Sequence, residues 1–98
     1  MGDNQTPWIS SYKKGKYMNR ITNIVGRENK ICELAIRQLG DKCAVFEKRY
    51  DLSSDEFYDL WQRGKMEDET DFFEWKALIE GINEWKQTRE ELKKLAIA

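Results

Sequence analysis

The chain predicts an all-α fold: two long helices forming an antiparallel hairpin with coiled-coil-like packing, linked through a short connecting helix. Three observations carry this expectation. Apolar residues in two separate stretches recur at alternating steps of three and four, the signature of a helical seam. Between those stretches, a serine–glutamate capping pair and a later glycine bracket a short helical segment. Proline occurs once in 98 residues and 36% of residues are charged, which suits long solvated helices better than a sandwich or barrel.

Taken in order, residues 1–20 show no clean periodicity. Their Gly, Pro, Ser and Asn content reads as a flexible basic and aromatic arm, ahead of a single helical domain over residues 21–98. Met18 would serve as an alternative start. The run 20–26, Arg-Ile-Thr-Asn-Ile-Val-Gly, fits a strand by propensity and a helix by the spacing of Ile21, Ile24 and Val25. The spacing favours a helix. A first long helix is expected near residues 22–50, with its seam at Val25, Asn29, Cys32, Ile36, Leu39, Cys43, Phe46 and Tyr50. Asn29 is the polar residue on that seam, a type of position that fixes register or oligomer state at some cost in stability. A second apolar row, Ile24, Ile31, Leu34, Ala35 and Val45, implies more than one neighbour for this helix. Ile24, Asn29, Ile31 and Val45 are accordingly the candidate oligomer seam. Gly26 and Gly40 fall within the pattern and would permit close helix approach.

Ser53 and Glu56 match a capping box, and Gly64 is the expected stop. A short helix near 54–63 should therefore bury Phe57, Leu60 and Trp61. After a polar loop, a last helix is expected near 71–95, capped by Asp68 or Thr70. Its seam runs Trp75, Leu78, Ile82, Trp85, Arg89, Leu92 and Ala96, with Arg89 as the lone charge.

Composition excludes several chemistries. Histidine is absent, which removes the commonest general base and metal ligand. Cys32 and Cys43, on one helix, are separated by a rise of roughly 16 Å, too far for an intrachain disulfide, and read as small buried hydrophobes. No apolar run approaches a membrane span and no leader is evident, so a cytoplasmic protein is expected. No catalytic, cofactor or metal role is assigned to any residue, and the chain is not expected to be an enzyme.

The charge is unevenly spread. Residues 51–75 hold nine acids and two bases, a local balance of −7 within a chain of net charge −1. The acids interleave with aromatic residues. Such a segment attracts basic partners. Tyr58 and Phe73 flank the expected buried faces, so with Glu67, Asp68, Glu69, Asp71 and Glu74 they form the candidate partner-binding set, in the manner of an interface with an electrostatic rim. The basic arm, with Lys13, Lys14 and Lys16 beside Tyr12 and Tyr17, would support only weak, salt-sensitive contact with nucleic acid.

Over about residues 45–85 the chain resembles the C-terminal module of small antitoxin-like proteins of bacteria and archaea. The shared pattern is a charged helix ending in Arg49-Tyr50, then the Ser53, Ser54, Glu56, Phe57 cap. Gly64, Asp68 and the run Asp71-Phe72-Phe73-Glu74-Trp75 complete it. The resemblance implies a protein that masks a basic toxin by pairing its acidic segment with the toxin's substrate-binding bases; the two apolar rows of the first helix, with one hairpin partner to cover them, separately predict a homodimer or hetero-complex. The alternative from another class is a homo-oligomeric helical scaffold or adaptor with no toxin partner. A more remote alternative is an all-helical, magnesium-dependent nucleotide pyrophosphohydrolase-like enzyme, suggested by the carboxylate pairs Glu56/Asp59 and Asp71/Glu74.

Overall fold

The computed structural model describes the backbone of residues 7–97 and the side chains of residues 20–95. The described residues form three helices: α1, Pro7–Tyr50; α2, Ser54–Gln62; and α3, Thr70–Ile97. The two long helices pack together, and α2 lies against one end of the pair.

The α1 start differs from expectation, because the helix begins at Pro7 rather than in the low twenties. Proline at the first helical position sacrifices no hydrogen bond, since that N–H has no intrahelical partner anyway. Once the seam has nucleated the helix, adding residues at its N-terminal end is cheap even through Ser10, Ser11 and Gly15. The segment 20–26 is helical throughout. Residues 1–6 of the expected arm, and the side chains of Lys13, Lys14 and Lys16, lie outside the described residues.

The eight α1 seam positions are all buried or half-buried. On α3 the same holds from Trp75 through Leu92, while Ala96 is outside the described side chains. Facing contacts step down α1 as they step up α3. Tyr50 meets Asp71, Phe46 meets Trp75 and Leu39 meets Gly81. Gly81 is the close approach: a Cβ there would sit 3.3 Å from Leu39 Cδ1. Gly26 and Gly40, the expected sites of approach, have open space where a Cβ would go, so they are helical residues without a packing duty.

Both helix ends next to α2 are built from local signals. At the end of α1, Asp51 adopts φ 51° and the Leu52 N–H donates to the Glu47 carbonyl at 3.2 Å, a left-handed stop made with aspartate instead of glycine. The Ser53 hydroxyl caps α2 by accepting from the Glu56 N–H at 3.1 Å. Glu56 does not reach back to the Ser53 backbone as in a full capping box; its carboxylate accepts from the Ser53 hydroxyl, also at 3.1 Å. At the other end of α2, Gly64 has φ 71°, with Gly64 N–H donating to the Trp61 carbonyl and Lys65 N–H to the Leu60 carbonyl at 3.0 and 2.9 Å. This is a Schellman stop. The α3 start is displaced from both expected caps: Glu69 precedes the first helical residue, and its carbonyl accepts from the N–H groups of Phe72 and Phe73.

The core sits at one end. Cys43, Phe46, Phe57, Phe72, Trp75 and Ile79 form one buried cluster, with Tyr50, Leu52, Tyr58, Trp61 and Met66 packed on it. Trp75 is its centre. Phe57 stacks on the indole at 4.0 Å and 4°, and Phe46 and Tyr50 stack at 5.8 and 6.0 Å.

Candidate protein-interaction site

The acidic–aromatic segment folds around that core, and the fold sorts its residues into those that hold the end together and those that face outward. Asp71 belongs to the first group. Its carboxylate accepts from the Tyr50 hydroxyl at 2.6 Å and from the Arg49 guanidinium at 2.7 Å, which closes the end of α1 onto the start of α3. The Tyr50 hydrogen bond and then Arg49 hold the Asp71 carboxyl below its usual range, and the same contact raises the Tyr50 phenol above its own.

Ser54 is a second joint, and sequence reasoning passed it over as part of the cap. Its hydroxyl accepts from Trp75 Nε1 at 2.9 Å, close to the Cys43 thiol, whose pKa burial raises and the Ser54 hydroxyl partly lowers. Its backbone N–H donates to the Glu47 carboxylate at 2.8 Å. One residue therefore gathers α1, α2 and α3. Nothing in the local pattern marks it, because its partners lie 7 to 21 residues away and are set by tertiary register. Cys32 and Cys43 are buried free thiols, as expected.

Of the expected partner-binding residues, Glu67, Asp68, Glu69, Phe73 and Glu74 are exposed. None of their side chains makes an ion pair among the described residues. Phe73 is 52% exposed and stands edge-on to Trp61 at 5.0 Å. Trp61 also lines a shallow depression with Gly64, Met66, Glu67 and Asp68. Phe73, Trp61, Glu67 and Asp68 thus form one continuous outward surface of aromatic rings edged by carboxylates. Trp61 and Met66 are additions to the expected set. Trp61 was expected in the core, but it is half-buried.

Tyr58 is less available than expected. It is half-buried against the core, and its hydroxyl donates to Glu80 at 3.1 Å, which raises the phenol's pKa. Lys76 reaches Glu80 at 3.6 Å and lies 5.9 Å over the Trp61 ring. Glu74 opens onto a different surface, the groove between α1 and α3 lined by Lys42, Val45, Arg49 and Leu78. The seven expected residues therefore divide: an outward patch, a clasp at Asp71, a tether at Tyr58, and Glu74 in the α1–α3 groove.

The candidate oligomer residues divide too. Ile24, Ile31 and Val45 are exposed at 56, 48 and 56%. Asn29 faces inward with the seam, and its Oδ1 is buried without a hydrogen-bond partner, as is Nε of Arg89. The carboxylate pairs behind the magnesium alternative also have other occupations: Glu56 bonds Ser53, Asp59 pairs with Arg63 and Asp71 holds the clasp. Among the described residues, no three His, Cys, Asp or Glu side chains are grouped to hold a metal ion, and no helix is long and apolar enough to cross a membrane.

No family model matches the chain, and neither the curated proteins nor the solved structures give a match.

Proposed function

We propose that this chain is a protein-binding module of the antitoxin type. In this reading it is an antiparallel helical hairpin with coiled-coil-like packing, working in the cytoplasm and masking a basic toxin with its acidic–aromatic end. The observation that supports it best is the outward patch. Phe73 stands exposed on Trp61, beside Glu67 and Asp68, within a segment whose balance is −7. Exposed carboxylates speed encounter with a cationic surface, and a ring buried on contact slows release. The ends of α2 and α3 are pinned by the Schellman stop and the Asp71 clasp, so the patch is held on a rigid frame and loses little conformational entropy on binding.

The test is co-purification with the product of the adjacent gene, followed by kinetics. Charge reversal of Glu67, Asp68 and Glu69 to lysine leaves the fold intact and slows association strongly at low salt and less at high salt. Phe73→Ala raises the dissociation rate with little change in association. Tyr58→Ala also raises it, but loses the Glu80 tether and must be checked for folding. A triple reversal that associates as fast as wild type would reduce the segment to solvated surface. The homo-oligomeric scaffold is the second reading, and the uncovered row on α1 favours it.

A further inference from the structure

We propose that α1 pairs with α1 of a second copy, antiparallel, about a two-fold axis passing between Leu34 and Ala35. This inference goes beyond the masking reading and does not rest on it.

The first argument is uncovered surface. A row of half-exposed aliphatic side chains runs along α1 on a face that α2 and α3 leave open, and a contiguous apolar stripe of that kind marks an interaction surface. Ile24, Ile31, Leu34 and Val45 are each about half exposed, and they lie on the side of α1 away from Glu47, the residue that bonds α2.

The second argument identifies the occupant. Ile24, Ile31, Gln38 and Val45 repeat every seven residues, three heptads of one row. Turning the helix end for end about the point between Leu34 and Ala35 brings Ile24 level with Val45 and Ile31 level with Gln38, while on the flanks Leu34 meets Leu34 and Ala35 meets Ala35. The row then lies on itself, with Gln38 against Ile31. The flanks follow the same symmetry. One carries Arg27, Leu34 and Asp41, the other Glu28, Ala35 and Lys42. In an antiparallel pair each flank faces its own copy, so Arg27 meets Asp41 and Glu28 meets Lys42, each twice. Arg20 comes level with Lys48, an unfavourable pair at the outermost ends.

Orientation is decided by the acidic ends. A parallel pair would also match the flanks, but it would set the two segments of balance −7 side by side and stack Gln38 on Gln38. The antiparallel pair separates those ends by about 45 Å at 1.5 Å per residue and leaves both patches open, so a two-fold assembly could engage two partners.

Sedimentation of the full chain tests this. Wild type should form a concentration-dependent dimer. Ile31→Glu, a change on an exposed position, should shift the chain to monomer with unchanged helicity. Gln38→Ile should tighten the dimer by roughly tenfold, the burial of one apolar group per subunit. A mixture of Ile24→Cys and Val45→Cys chains, gently oxidised, should cross-link unlike chains. Cross-links between like chains would replace the antiparallel arrangement with a parallel one. Wild type that sediments as a monomer up to about 100 μM, a range that detects even weak association, would overturn the pairing, as would a Gln38→Ile chain no tighter than wild type.

Discussion

The two ends of the α1–α3 pair are built on different principles. At the α2 end, six buried residues form one cluster around Trp75, the end of α1 and both ends of α2 have an identified stop or cap, and Ser54 and Asp71 tie the helices together. At the far end Cys32 is the one buried apolar residue among the described side chains, and the seam there contains Asn29 and Arg89, each with a buried polar atom lacking a partner among the described residues. The near end is stabilised by aromatic burial in three dimensions, the far end by one line of contact between two helices. Stability should be graded along the molecule, with the far end opening first.

The largest effect should come from the centre of the near end. Trp75→Ala removes a fully buried indole and its stacking on Phe57, and leaves the Ser54 hydroxyl without its donor. A loss of about 3–5 kcal/mol is expected, enough to unfold a domain of ordinary marginal stability. Chemical denaturation checks this. In contrast, Cys32→Ala at the far end should cost far less, and near-equal losses would remove the proposed gradient.

The far end sharpens the comparison in the opposite direction. A buried polar group without a partner costs about 1–3 kcal/mol. Asn29→Leu should therefore raise the midpoint of thermal unfolding, and Arg89→Leu should do the same. The two lie within about a turn of each other on the facing register, so their effects should not simply add. Unchanged midpoints would mean that both groups reach water in solution.

This division explains how much the residues alone could reveal. The seams were legible because helical periodicity is local: the residues from Val25 to Tyr50 and from Trp75 to Leu92 that repeat in threes and fours are those that turn inward. The α2 cap and its glycine stop were legible for the same reason. The Asp71 clasp, the Ser54 joint and the Tyr58–Glu80 bond were not. Each links residues 21 or 22 apart in the chain, and an aspartate recruited by a tyrosine looks in sequence like any other member of an acidic run. The site was thus readable as a segment but not as a surface, and Trp61, which packs on the core as expected, also supports the exposed Phe73.

Glycine gives a third contrast, between ordinary helix and close contact. Gly26→Ala and Gly40→Ala fill open space, and each should stabilise by up to about 1 kcal/mol through helix propensity. At Gly81 the new methyl would press on Leu39 Cδ1 at 3.3 Å, tighter than ordinary contact, so the propensity gain should be offset. Melting midpoints of the three alanine variants check the order. If Gly81→Ala stabilised as much as Gly26→Ala, the α1–α3 approach would be looser than described.

The smallest effect belongs to the clasp, because exposed ion pairs contribute little and the Arg49–Asp71 pair is half exposed. Its pH signature is nevertheless distinctive. The folded Asp71 carboxyl titrates below its unfolded value, so its contribution is present above about pH 4 and fades as pH falls through the lowered folded value. The Tyr50 phenol titrates above its unfolded value, so its contribution is complete below about pH 10 and fades as pH rises through the raised folded value. The clasp should therefore stabilise the near end across the whole neutral range and weaken at both extremes. Tyr50→Phe keeps the ring that stacks on Trp75 and Phe72 but deletes the hydroxyl, and should flatten the alkaline limb while leaving part of the acid limb, which Arg49 sustains. Asp71→Asn should flatten both. Amide exchange at the start of α3, followed from pH 3 to 11 in the three proteins, reads the local effect directly; identical profiles in all three would show that the clasp contributes nothing and that aromatic packing alone holds this end closed.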